Sequence, residues 1–257
     1  MTMVAPRLKD PPIIEVVCGF FFPAVPGLDP ILVGKYWAER KEAHGFPSRQ
    51  LHPPVADRPG FFLGEGVGPL RAWLVSAPDE YVLQIQPDPF YFNWRKHESA
   101  YPHFGDHEPT KGVLSRSLLE LAELGDFTLG ALGQKPKPTQ LELAKIDLLV
   151  SPKHWSDDAD LTKVLPALGT LPRITGEPTV NLSVVGERAG FQLHFAIASV
   201  VLASDMSRAI QIETRVTARE PGSDMRKTFE AMNAVANQVF FETVSDKELN
   251  RFGGEVS

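Results

Sequence analysis

The chain has 257 residues, is 43% hydrophobic and 23% charged, and carries a net charge of −6. That is ordinary globular composition, enough for one sizeable domain or two small ones, and it sets aside wholesale disorder. The acidic balance argues against broad binding to a phosphate backbone, because the longest basic groupings, Lys135-Pro136-Lys137 and Arg226-Lys227, make no stripe.

Ile13 to Phe22, an apolar run headed by Pro11-Pro12 and holding one carboxylate, predicts a strand buried on at least one face. It is about half the roughly 20 residues that cross a bilayer, as is Phe195 to Ala203, so no membrane helix is expected. The run lacks a small-residue cleavage site, so no signal peptide is expected either. A single cysteine, Cys18, excludes an internal disulfide framework and a thiolate zinc site and suits a reducing cytosol; the expected location is cytoplasmic.

Turn residues Pro23 to Gly27 precede a helix over Leu28 to His44, with Ile31, Leu32, Tyr36 and Trp37 at helical spacing and Gly45 as its stop. Residues 46 to 70 hold five prolines and four glycines in broken order, which predicts a functional loop or an extended wrap. Strands follow at Arg71 to Ala77 and Glu80 to Arg95 around the turn pair Pro78-Asp79. Pro87-Asp88-Pro89 interrupts the second and predicts a bulge or an edge position. Gly112 to Gly125 reads as a helix.

Gly133 to Thr139 concentrates proline, charge and turn formers and is the best linker in the chain. It divides an N-terminal α+β subdomain, 1–134, from a C-terminal one, 135–257, unless the two form one continuous domain. Beyond it Gln140 to Val150 is a strand whose apolar phase moves from Leu141 and Leu143 to Ile146, Leu148 and Val150, which predicts a bulge near Lys145. A short helix near Ala159 to Leu168 leads into Val180 to Gly186, Phe191 to Val201 and Ala209 to Ala218, the clearest β pattern here and an antiparallel meander. Ser223-Asp224 caps a last helix carrying Phe229, Met232, Ala236, Val239 and Phe240 on one stripe, and Ser245 to Glu248 repeats a capping-box pattern. The fold class is α+β: mostly antiparallel sheet covered by helices, either as two similar strand-helix-strand-strand-helix halves or as one sheet covered on one face.

No stretch matches a Walker lysine loop, a serine elbow or a zinc-protease helix pair. Gly64, Gly66 and Gly68 resemble half a nucleotide fingerprint, but a proline and a strand follow where a helix should open. The densest ionisable cluster, Arg95-Lys96-His97-Glu98 with His103, Asp106, His107 and Glu108, holds metal-ligand residue types, yet Pro102, Gly105 and Pro109 break any helix that would align His103 with His107. A solvated polar loop is the expectation. Glu15 falls on the strand face opposite Ile14, Val16 and Cys18, where an arginine partner would satisfy it, and Cys18 itself is expected to be buried and inert. His194 shares a polar strand face with Gln192 and, on the next strand, Gln211, Glu213 and Arg215. Trp94, Tyr101 and Phe104, interleaved with Arg71, Arg95 and Lys96, are residue types that grip a peptide or stack on bases. The expected binding set is Glu15, Arg71, Trp94, Arg95, Tyr101 and His103. No catalytic residue, metal or cofactor is assigned.

Pro11-Pro12-Ile13-x-Glu15-Val16-Val17, Phe92-Asn93-Trp94-Arg95, Tyr101-Pro102 and the closing Phe240 to Gly253 together resemble a sporadically distributed, uncharacterised prokaryotic protein family of similar length. The resemblance implies a single full-length unit of prokaryotic origin, and the patchy distribution implies a defence-linked or mobile-element setting by analogy. The leading expectation is a non-enzymatic cytoplasmic protein-binding module, with self-association open. A small-ligand or nucleotide enzyme drawing on Glu15, Arg95, His103 and His194 stands second, and nucleic-acid binding third.

Overall fold

A computed structural model describes residues 8–40, 45–52, 71–97, 100–106, 112–170 and 179–253. In chain order they form β1 (Ile13–Phe21), α1 (Pro30–Arg40), β2 (Ser48–His52), β3 (Arg71–Val75), β4 (Tyr81–Ile85), β5 (Pro89–Arg95), α2 (Val113–Leu132), β6 (Gln140–Val150), α3 (Asp158–Val164), a 3₁₀ turn (Pro166–Thr170), β7 (Asn181–Arg188), β8 (Phe191–Val201), β9 (Arg208–Arg219), α4 (Met225–Thr243) and a closing 3₁₀ turn (Asp246–Phe252). The strands make one nine-stranded sheet in the order β2-β3-β4-β5-β1-β6-β9-β8-β7. Every pairing is antiparallel. The class is α+β, and no helix among the described residues is long and apolar enough to cross a membrane.

Strand alternation decides what lies where. Val16, Cys18 and Phe20 of β1 sit beside Phe90, Phe92 and Trp94 of β5 and Leu141 and Leu143 of β6, and all are fully buried. Helices α1, α2 and α4 close over this face through Val33, Tyr36, Leu121, Leu124, Phe229 and Met232. The aromatic rings of Phe20 and Phe229 meet edge to face at 5.3 Å, the geometry their quadrupoles favour. Further along the same face a second cluster gathers Leu149, Ile197, Ile210 and Ile212 under α3 and the closing turn. No helix among the described residues packs on the opposite face.

Helix ends follow the sequence signals where those are chemical. Asp224 caps α4 by accepting from Lys227 N, and Asp157 caps α3 by accepting from Asp160 N. α2 runs past Gly125 to Gly133, whose left-handed backbone (φ 69°) ends it. Two expectations are corrected. Pro87-Asp88 is a full reversal between β4 and β5, with Gln86 N donating to Pro89 O at 3.0 Å, rather than a bulge in one strand. The pairing of β6 with β9 is unbroken, so β6 carries no bulge at Lys145; the register shift lies across from it, between Ile13 and Glu15 of β1. β2 occupies part of the proline-rich stretch, whereas the Gly64–Gly68 repeat, Glu98, His107 and Glu108 lie outside the described residues.

Candidate functional site

The helix-free face carries a chain of polar side chains across four strands, each supplied by the polar phase of its strand. Arg71 Nη1 of β3 donates to Gln84 Oε1 of β4 at 3.0 Å, and Gln84 Nε2 donates to Asn93 Oδ1 of β5 at 2.9 Å. Asn93 Nδ2 then donates to Glu15 Oε1 of β1 at 2.6 Å, and Arg95 Nε reaches the same oxygen at 3.2 Å. Gln84 and Asn93 are buried, so each amide must use both its donor and its acceptor, and the direction of the chain is thereby fixed.

Trp73 of β3 sits between the two ends of that chain. The guanidinium carbons of Arg71 and Arg95 lie 5.1 and 5.0 Å from its ring, and the imidazole of His52 stacks at 4.1 Å. Arg95 also lies 3.6 Å from Asp79. The indole N–H of Trp73 and the Nε of Arg71 meet no acceptor, and burial holds Arg71 below its ordinary pKa. On the other half of the face Arg215 bridges Glu213 at 2.9 Å and Glu142 at 3.6 Å, while His194 shares a 2.8 Å hydrogen bond with Ser183. Along the described strands Arg71, Arg95, Arg215 and Arg219 are matched one for one by Glu15, Glu142, Glu187 and Glu213. The face is polar without being cationic.

Of the expected binding set, Glu15, Arg71 and Arg95 therefore converge, and Glu15 has the arginine partner its strand phase predicts. Trp94, Tyr101 and His103 do not join them. Trp94 is fully buried on the helix-covered face, its indole N–H donating to Glu80 Oε1 at 3.1 Å and its ring 5.1 Å from Tyr101, which in turn faces His103 at 6.0 Å. Adjacent strand residues point to opposite faces, so Trp94 and Arg95 cannot serve one surface. Nor do the four acid–base candidates gather, since His103 lies across the sheet from Glu15 and Arg95, and His194 is held by Ser183 on β7. Cys18 is buried as expected, and burial pushes its thiol up to about 12. Among the described residues no group of three or more His, Cys, Asp or Glu side chains is arranged to hold a metal.

A second site, lined by Tyr101 and His103 of the expected set, is built mainly from residues the sequence did not single out. On the helix-covered face, β6, β9, α4 and the segment around Phe104 line a half-open cavity of about 230 Å³. Lys145 and Asp147 of β6 project into it with Thr214 of β9 and Asn233 and Asn237 of α4, against Phe104, Phe240 and Phe241. Lys145 Nζ donates to Asn237 Oδ1 at 2.6 Å. Thr214 Oγ1 and Asn233 Oδ1 have no hydrogen-bond partner. Burial is the main influence on both charges: it holds the Asp147 carboxyl above the usual carboxylate range and the Lys145 ammonium below its own, each partly offset by the other. The apolar phase change in Gln140 to Val150 is the trace this site leaves in the sequence. Lys145 and Asp147 occupy core-facing positions while Ile146 and Leu148 face the other way.

Comparison of the chain with protein-family models, curated proteins and solved structures finds no match.

Proposed function

We propose that the protein is a non-enzymatic binding module that takes a segment of another protein across the helix-free face, centred on Arg71, Trp73 and Arg95. The observation that carries this reading is the hydrogen-bonded chain from Arg71 to Glu15, which holds two guanidinium groups within about 5 Å of one indole. Trp and Arg are the residues that most often dominate protein interfaces, and groups already held in place lose little freedom on binding. The guanidinium groups of Arg71 and Arg95 beside the Trp73 ring offer a peptide charged donors for its carbonyls and acidic side chains and an aromatic face to pack on. Equal numbers of Arg and Glu along the face disfavour a phosphate backbone.

The strand order supports two similar halves. Outward from the central β1–β6 pair it runs β1-β5-β4-β3-β2 one way and β6-β9-β8-β7 the other, and each half places one helix after its first strand and one after its last. Membership of the sporadic prokaryotic family, and a cytoplasmic, defence-linked setting, belong to the same proposal and rest on the motif residues Pro11 to Val17. The buried free thiol of Cys18 suits that compartment.

An array of immobilised acidic, basic and neutral peptides, probed with the wild type and with Arg71→Ala and Trp73→Ala proteins, tests the binding reading. Retention on acidic peptides that both substitutions abolish is the expected result. Retention unchanged by either, or none on any peptide, would refute it. Equal retention on single-stranded DNA would transfer the face to nucleic acid.

A further inference from the structure

Lys145 and Asp147 are two residues apart on one strand, so they share a face with Cα atoms roughly 7 Å apart. Both are buried, at 7% and 6% exposure, yet they form no ion pair with one another. Thr214 Oγ1, 1% exposed, and Asn233 Oδ1 are without a hydrogen-bond partner, and Asp147, which lines the cavity, meets Lys145 only at longer electrostatic range. Two buried charges of opposite sign that face one cavity without a close contact between them are expensive for a fold to keep, and make a device that a ligand would complete.

The chemistry of that ligand follows by elimination. A phosphate or simple carboxylate would satisfy Lys145 but meet the Asp147 carboxylate, and a metal cation or simple amine would satisfy Asp147 but leave Lys145 unpaired. A zwitterion answers both. A primary ammonium brings three N–H donors, matching Asp147, Thr214 Oγ1 and Asn233 Oδ1, whereas a quaternary one brings none. Phe104, Phe240 and Phe241 supply an apolar wall. At about 230 Å³ the space is below the range of about 300–1,000 Å³ typical of drug-sized ligands, and corresponds to the share of liquid volume of only about eight waters at roughly 30 Å³ each.

We propose that this cavity binds a free α-amino acid with an apolar side chain, its carboxylate received by Lys145 and the amide of Asn237, and its ammonium by Asp147, Thr214 and Asn233. The site lies on the opposite side of the sheet from the helix-free face.

Isothermal titration calorimetry with L-phenylalanine and L-leucine, set against 3-phenylpropanoate and 2-phenylethylamine, tests the proposal on the intact wild-type chain. At least one amino acid should bind, and each analogue, lacking one of the two charges, should bind about tenfold more weakly or worse. Asp147→Asn and Lys145→Met should each weaken amino-acid binding by about tenfold or more while the far-UV circular dichroism stays that of the wild type. No heat from either amino acid up to millimolar concentration would overturn the proposal. So would an analogue binding as tightly as L-phenylalanine, because that comparison needs no variant to fold.

Discussion

Replacing Arg40 by Met should destabilise the protein by about 3–5 kcal/mol, and a second replacement, Glu120→Met, should restore most of the loss. Arg40 on α1 is 6% exposed and Glu120 on α2 is 3% exposed, and Nη2 meets Oε2 at 2.9 Å. Tyr36 and Glu123 also contact this guanidinium, and Arg116 stands 4.0 Å from the second Glu120 oxygen. Burial outweighs both arginines and raises the Glu120 carboxyl to about 7. Without Arg40 that carboxylate is left in an apolar helix interface and must be buried charged or take up a proton. For a chain of this size the penalty corresponds to a fall of roughly 10 °C in Tm. The sign of the pH dependence follows from the raised value. The stability that Glu120 contributes is complete below its unfolded value near 4.5 and is lost as pH rises through about 7. The Arg40→Met deficit should therefore be larger at pH 8 than at pH 5.5. Urea denaturation of the wild type, the single variant and the double variant at both pH values measures this. A single variant within about 0.5 kcal/mol of the wild type, or a double variant no better than the single, would refute the reasoning.

Arg95→Ala should abolish peptide retention with little effect on folding, at most about 1 kcal/mol, because the ion pair it forms with Glu15 is only part-buried. A thermal melt distinguishes that outcome from unfolding. Gly19→Ala should cost about 1–3 kcal/mol by urea denaturation, since a Cβ there would lie 3.0 Å from the Tyr91 ring and 3.2 Å from Glu142 Cβ. Two hydrogen bonds from Arg251, at 2.7 and 2.8 Å, and one from Ser156 N hold the Asp160 carboxyl well below the usual range. A depressed carboxyl contributes stability that is present above its unfolded value and lost on acidification. Asp160→Asn should thus lower Tm near pH 6 and narrow its distance from the wild type as the pH falls below about 3.

How far the sequence disclosed this molecule depends on whether a feature is local. The meander β7-β8-β9 was legible because Ile210, Ile212, Thr214 and Val216 alternate with polar residues over a full strand, and the pairing follows that phase. The start of α4 was legible because Asp224 carries its own cap. The chain from Arg71 to Glu15 was not, because its links span 13, 9 and 78 residues and depend on strand order. Only its members' polar phase was visible, which is why Trp94, adjacent in sequence to Arg95, was grouped with it. The Arg40–Glu120 pair, 80 residues apart, was equally hidden.

Both the polar chain and the cavity draw residues from one irregular segment at the centre of the sheet. Ile13 faces Asp147 and lines the cavity, whereas Glu15 pairs with Ile146 on the opposite face and receives Asn93 and Arg95. In a regular strand Ile13 and Glu15 would share a face. The extra residue at Ile14 breaks that phase, so one short segment contributes an apolar wall to one side of the sheet and a carboxylate to the other. Deleting Ile14 would make Ile13 and Glu15 neighbours in a regular strand, where adjacent side chains point to opposite faces, so each would keep its side of the sheet. The deletion should therefore preserve both peptide retention and amino-acid binding, and loss of either would show that the bulged backbone itself is needed there.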